Sequence, residues 1–401
     1  MAVQIAQRRL WVWIFAFIAL GFPAVFLRFS GVHLDPLLAA LIYGIGIVGG
    51  AFLLSWAAEV AQMDVSASLA IAVLALIAIL PEYAIETVLA IQAGSSFDVV
   101  TREITPEMGR VAANVTGANR LLIGLGWSAV ILIFWIKRKR TLDMRGFMTL
   151  EMPMLAIATA ATLLIFIMKE VNIVLAIGLI ALFIYYLWAS SRKESEEPEL
   201  VGVAALLGGF KTWQRRTWVI FLFVYAAAII LVAAEPFVEG LIEMGTELGI
   251  DEFLLIQWLA PLASESPEII IAVLFALRAN PVAGLTALIS SEVNQLTLLI
   301  GSMVLIFSGS AGQAMSFPVD DRQAAEFFLM TAMSTFAIIL IAPRLISWRA
   351  GVVLLTLFIA HLFFPNPAHR MIFAYIFFGL SIALVAMNWR RLKHIFGSGY
   401  E

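Results

Sequence analysis

Two glutamates stand directly after prolines inside strongly apolar stretches. One is Leu80-Pro81-Glu82, within Ile77 to Leu89; the other is Ser266-Pro267-Glu268, within Leu262 to Leu274. A carboxylate is a hard oxygen ligand, and a pair of them suits Na⁺, Ca²⁺ or protons. A helix-interior proline removes a backbone donor and clashes one turn back, so Pro81 and Pro267 are expected to break their helices and turn freed carbonyls toward a cation. An ionisable group in mid-membrane costs about 2.5–3.5 kcal/mol on insertion scales. Two such groups at matching places therefore argue for function rather than packing. Each Pro-Glu pair precedes a long apolar run with a polar middle. The first is Asn114-Val115-Thr116-Gly117-Ala118-Asn119-Arg120, continuing to Gly126; the second is Ile289-Ser290-Ser291-Glu292-Val293-Asn294-Gln295, continuing to Gly301. Asn119 and Asn294 hold the same place before those glycines.

Glu82, Glu265, Glu268 and Glu292 could share one cavity. Four close carboxylates do not all stay ionised without compensation. A divalent ion, protons or Arg120 would supply it, since arginine keeps its charge when buried. Glu292 is the expected partner of Arg120, with Glu82, Glu265 and Glu268 as the other options; the plainer reading is that Arg120 snorkels to a helix end. Glu86 lies one turn after Glu82 on the same face, either lining an access path or facing the outer interface.

The elements that would position these groups are membrane helices. Of 401 residues, 62% are hydrophobic and 13% charged, against about 45–50% and about 25% in soluble chains; mean hydropathy is +0.98. A soluble protein of this length must show more polar surface, so lipid is a main partner. The net charge of −3 argues against a basic nucleic-acid binder. The absence of cysteine excludes disulfides and thiolate chemistry. His33, His361, His369 and His394 are scattered near expected segment ends and read as interfacial. No nucleophile–base constellation, nucleotide-binding Gly-rich loop or metalloprotease motif appears, so no enzyme and no cofactor is expected.

Apolar runs of about 20 residues give about twelve spans: 10–27, 36–58, 66–92, 108–136, 149–168, 171–189, 218–238, 252–277, 282–308, 325–342, 348–364 and 370–388. The first follows Arg8 and Arg9 and lacks a clear cleavage site, so it reads as a retained helix and not a signal peptide. Lys and Arg concentrate before the first span, after the fourth, sixth and twelfth, and between the tenth and eleventh. This bias places both termini in the cytoplasm of a multi-pass cell-membrane protein. The hydrophilic stretch 190–217 is a cytoplasmic linker. Spans two to six (36–189) and seven to eleven (218–364) form two repeats offset by an odd number of helices, and hence inverted. One extra helix lies at each end, 1–30 and 370–388. The expected fold is an all-α polytopic membrane protein with two inverted five-helix repeats.

These residues resemble the sodium/calcium exchanger superfamily of cation antiporters, over about residues 36–364. Its repeats carry a Gly-Thr-Ser-x-Pro-Glu-like motif, then a Gly-Asn/Asp-x-x-Gly-Ser-Asn-like motif on the next helix. The resemblance implies that Glu82 and Glu268 are the central cation-binding carboxylates, that Asn114 matches the Asn/Asp ligand of the first repeat, and that Ser264 matches the Thr of the second. Ala78 and Ile79 stand at the first repeat's Thr and Ser positions, and Glu265 at the second's Ser position. Ile289 stands at the second Asn/Asp position, and Glu292 replaces a glycine beyond Ser290 and Ser291. The implied activity is exchange of Ca²⁺ or another cation against Na⁺ or H⁺ by alternating access. The alternatives are a Na⁺/H⁺ antiporter without calcium transport and a non-transporting sensor or scaffold that keeps the fold.

Overall fold

Apolar runs can satisfy their backbone groups in lipid only as helices or closed barrels, and helices are what form. The computed structural model describes residues 2–32, 34–64, 80–192, 200–278 and 280–388. Its helices are α1 (Ala2–Ser30), α2 (Pro36–Ala61), α3 (Leu80–Ser96), α4 (Pro106–Arg138), α5 (Glu151–Met168), α6 (Ile173–Ser190), α7 (Val203–Gly208), α8 (Thr212–Leu248), α9 (Glu252–Leu277), α10 (Pro281–Ser310), α11 (Asp321–Ile341), α12 (Trp348–Leu362) and α13 (Pro367–Asn388). Among the described residues, 10 helices are long and apolar enough to cross a membrane, and α12 is a shorter apolar one. The part of the third expected span before Leu80, with Ala78 and Ile79, lies outside the described residues, as do His33 and His394.

Sequence chemistry sets the helix ends. Pro36, Pro106 and Pro281 occupy first turns, where a missing N–H costs nothing. The Asp35, Asn280 and Asp320 side chains accept from the backbone N–H groups of Leu37, Ala283 and Gln323, the usual N-cap arrangement. Contrary to the expectation of a break, α9 runs unbroken through both Pro261 and Pro267. Membrane helices tolerate proline in their interior; the Ser264 hydroxyl between the two donates back to the Ala260 and Pro261 carbonyls. Pro81 is the second described residue of α3.

The chain divides into two compact units, Met1–Val88 with Leu187–Pro267, and Leu89–Tyr186 with Glu268–Glu401. In the first, α2 packs along α8 with small residues between them. A Cβ on Gly240 would sit 2.9 Å from the Ala40 nitrogen, and one on Gly50 would sit 3.2 Å from the Ala226 carbonyl. Such close backbone approach is typical of membrane helix pairs. The Asp64 carboxylate, just beyond α2, takes two bonds from Arg215 at 2.7 and 2.8 Å and one from Arg216 at 3.2 Å.

In the second unit the repeat is written into the geometry. Strand β1 (Leu142–Asp143) pairs antiparallel with β4 (Leu345–Ile346), and β2 (Glu170–Val171) with β3 (Phe317–Pro318). Helix α5 runs from β1 to β2, so the two ladders cap opposite ends of the unit. Adding 175 to a residue number carries β1 onto β3, β2 onto β4, Asn119 onto Asn294 and Gly126 onto Gly301. It also carries the left-handed Lys169 (φ 51°) onto the left-handed Arg344 (φ 58°). One ladder thus maps onto the other at the far end, the relation an inverted repeat produces. Both long helices also widen into a π turn just after the matching asparagine, at Leu122–Trp127 in α4 and Gln295–Leu299 in α10. Such turns are frequent at functional sites.

Candidate functional site

In the first unit, α3 buries Glu82 in its first turn and Glu86 one turn later, at 3% and 1% exposure. Helix α9 buries Gln257, Ser264 and Glu265. Gln257 lies two turns before Ser264 on one face.

In the second unit, Glu268 follows Pro267 on α9 and is half-buried. Asn114, Asn119 and Arg120 of α4 and Glu292, Asn294 and Gln295 of α10 are all buried. The structure joins two of the expected residues directly. Asn119 Nδ2 donates to Glu292 Oε1 at 3.1 Å, and the Ser334 hydroxyl of α11 lies 3.1 Å from both Glu292 Oε1 and Asn119 Oδ1. Glu292 Oε2 has no hydrogen-bond partner among the described residues. Ser290 accepts from the Tyr186 hydroxyl at 3.0 Å, and Ser291 is half-buried beside it in sequence. The side-chain amides of Asn294 and Gln295 have no hydrogen-bond partner among the described residues. They place bare oxygens at the start of the second π turn, and an amide oxygen is a suitable hard-cation ligand.

One expectation is corrected. Arg120 does not pair with Glu292. Its guanidinium folds back one turn along α4, where Nε donates to the Thr116 carbonyl at 2.8 Å, and Nη2 meets Glu326 Oε2 of α11 at 2.7 Å. The direction is that of any helical side chain, back toward the N-terminus, and it carries the charge away from the π turn. The opposite face of Glu326 is taken by Arg370 of α13, with Nε at 3.1 Å from Oε1. Among the described residues no group of three or more His, Asp or Glu side chains is placed to hold a metal ion. Like charges resist gathering without a counter-charge, and the neighbours of Glu292 are an amide and a hydroxyl.

The chain matches the family model described as sodium/calcium exchanger protein over residues 36–192 and 218–365. Among solved structures it is similar to the H⁺/Ca²⁺ exchanger CAX, with 38% identity, 97% of both chains covered and a TM-score of 0.90. It shares its fold with the Ca²⁺/H⁺ antiporter protein YfkE at 15% identity, TM-score 0.61, covering 89% of this chain and 98% of that one. It does so too with the sodium-calcium exchanger NCX_Mj at 19% identity, TM-score 0.53, covering 82% and 97%. Comparison with curated sequences gave no match. With well over half its length matched, the chain belongs to the sodium/calcium exchanger family.

Proposed function

We propose that this protein is a secondary-active antiporter that exchanges Ca²⁺ against H⁺ by alternating access across the cell membrane, with both termini and the 190–217 linker cytoplasmic. The observation that carries the reading is 38% identity over 97% of both chains to a structure described as an H⁺/Ca²⁺ exchanger. Glu82, in the first turn of α3, and Glu268, directly after Pro267, are the carboxylates that bind Ca²⁺ and release protons in exchange. Ser264, Asn114 and the bare amides of Asn294 and Gln295 supply neutral oxygens, which suit a divalent ion stripped of part of its water. Helix elements of opposite orientation give the two-sided symmetry that alternating access requires.

The test is flux in proteoliposomes loaded with a pH dye. Inward labelled Ca²⁺ should be coupled to outward H⁺, and Glu82→Gln or Glu268→Gln should each abolish uptake while Glu243→Gln transports normally. Proton flux driven by Na⁺ and indifferent to Ca²⁺ would replace this reading with a Na⁺/H⁺ antiporter. The chain has no native cysteine, so single cysteines at Ser195 and Ser398 report the topology. Labelling of either by an impermeant reagent outside intact cells would overturn it.

A further inference from the structure

Helix α11 holds two consecutive residues of α4 with two groups spaced two turns apart on one face. Ser334 meets Asn119, and Glu326 meets Arg120. The repeat shows which part of this latch is general and which is special. A shift of 175 residues carries Glu151 onto Glu326, Thr159 onto Ser334, Asn294 onto Asn119 and Gln295 onto Arg120. The acid and hydroxyl are thus present and buried in both halves. Only the first half has a cation at the latched position; the second has a neutral glutamine. The cation is held by something outside the repeats. Arg370 comes from α13, the extra C-terminal helix, and its own guanidinium is fixed by donation to the His361 carbonyl at 2.8 Å. Arg120, Glu326 and Arg370 are all at most 1% exposed. Arg322 and His361 are further charged and titratable groups that face them among the described residues.

A permanent positive charge beside a cation pathway is a competitor for the pathway's own ligands. Arg120 follows directly on Asn119, whose amide bonds Glu292, so a guanidinium released from Glu326 is free to turn toward that carboxylate. We propose that Glu326, clamped by Arg370, is a positioning residue that holds the Arg120 charge away from Glu292 and the oxygen ligands of α10, and so keeps the cation affinity of the site high. The extra helix α13 thereby contributes to ion binding without touching the ion. This inference rests on the exchange reading above.

The experiment measures the KM and maximal rate of labelled Ca²⁺ uptake in proteoliposomes for the wild type, Glu326→Gln, Arg120→Gln and the double variant. One uncompensated charge several ångströms from a bound cation, at an effective dielectric of about 20, should raise KM about tenfold in Glu326→Gln. Removing the charge as well should return KM to within about twofold of wild type. If Glu326→Gln is not recovered folded, Glu326→Asp keeps the charge one methylene short of its partner. It should raise KM about threefold, again reversed by Arg120→Gln. A lower maximal rate at unchanged KM would make Glu326 a structural residue and overturn the inference. So would a raised KM that Arg120→Gln does not reverse. Wild-type protein without saturable Ca²⁺ uptake would instead remove the exchange reading, and the inference with it.

Discussion

In the unit built on α2 and α8, charged side chains pair within reach of water: Arg28 with Glu235, at 41% and 49% side-chain exposure, and Asp64 with Arg215, both at 11%. In the unit built on α4, α10 and α11, the Arg120–Glu326–Arg370 group is shut away completely. The first arrangement orients helices at small energetic consequence, because exposed pairs contribute about 0–1 kcal/mol. The second admits one packing of three helices and punishes any other, because a stranded buried charge has neither water nor partner. One unit is therefore held by close backbone contact with these ion pairs at its margins, and the other by an ion-paired group at its heart.

The sharpest way to break that contrast is to remove one member from each kind of pair. Arg370→Ala leaves Glu326 half-compensated inside the second unit and should cost about 3–5 kcal/mol. Arg28→Ala leaves Glu235 free to hydrate and should cost less than about 1 kcal/mol. Thermal unfolding of the purified protein in detergent reads both. Equal shifts would show that burial does not separate the two kinds of pair.

The next effect belongs to the first unit. Gly240→Ala drives a methyl against the backbone of Ala40, 2.9 Å from its nitrogen, where neither helix has a side chain to move aside. It should cost about 1–3 kcal/mol. Gly309→Ala, on α10 with nothing within 4 Å of the new methyl, should be neutral or stabilise by up to about 1 kcal/mol through helix propensity. A harmless Gly240→Ala would mean that α2 and α8 separate easily.

Hydropathy and the matched polar runs made the all-helical membrane fold and the 175-residue correspondence within the second unit legible, because lipid leaves a long apolar segment few conformations and because Asn119 and Asn294 keep one spacing from a glycine. The latch was not legible. Glu326 and Arg370 stand at the starts of apolar runs, where a charge ordinarily reads as interfacial, and only tertiary packing draws them inward. The repeat did contain a signal: Glu326 is the counterpart of Glu151, and two acids at equivalent points of two membrane helices are worth pairing with whatever cation lies across from them. Proline was over-read. Pro267 looked like a breaker, but in a packed membrane helix a single missing donor is absorbed without loss of the helix.

The smallest expected effect tests the margin of the first unit by pH. Asp64 lies beyond the end of α2, and the bond from the Arg215 guanidinium holds its carboxyl below the usual carboxylate range, with Arg216 adding to the effect. A group whose folded pKa is depressed stabilises the fold above its unfolded value, about 3.9 for aspartate. That contribution disappears as pH falls through the depressed folded value. Unfolding midpoints of wild type and Asp64→Asn should therefore differ by a constant amount, worth about 1 kcal/mol, from pH 7 down to about 4, and converge below it. The same comparison for Arg215→Gln should show the same convergence, because either change removes the same pair. A difference between wild type and Asp64→Asn that persists undiminished at pH 2 would mean that Asp64 acts through packing rather than charge, and that this margin is held as its interior is.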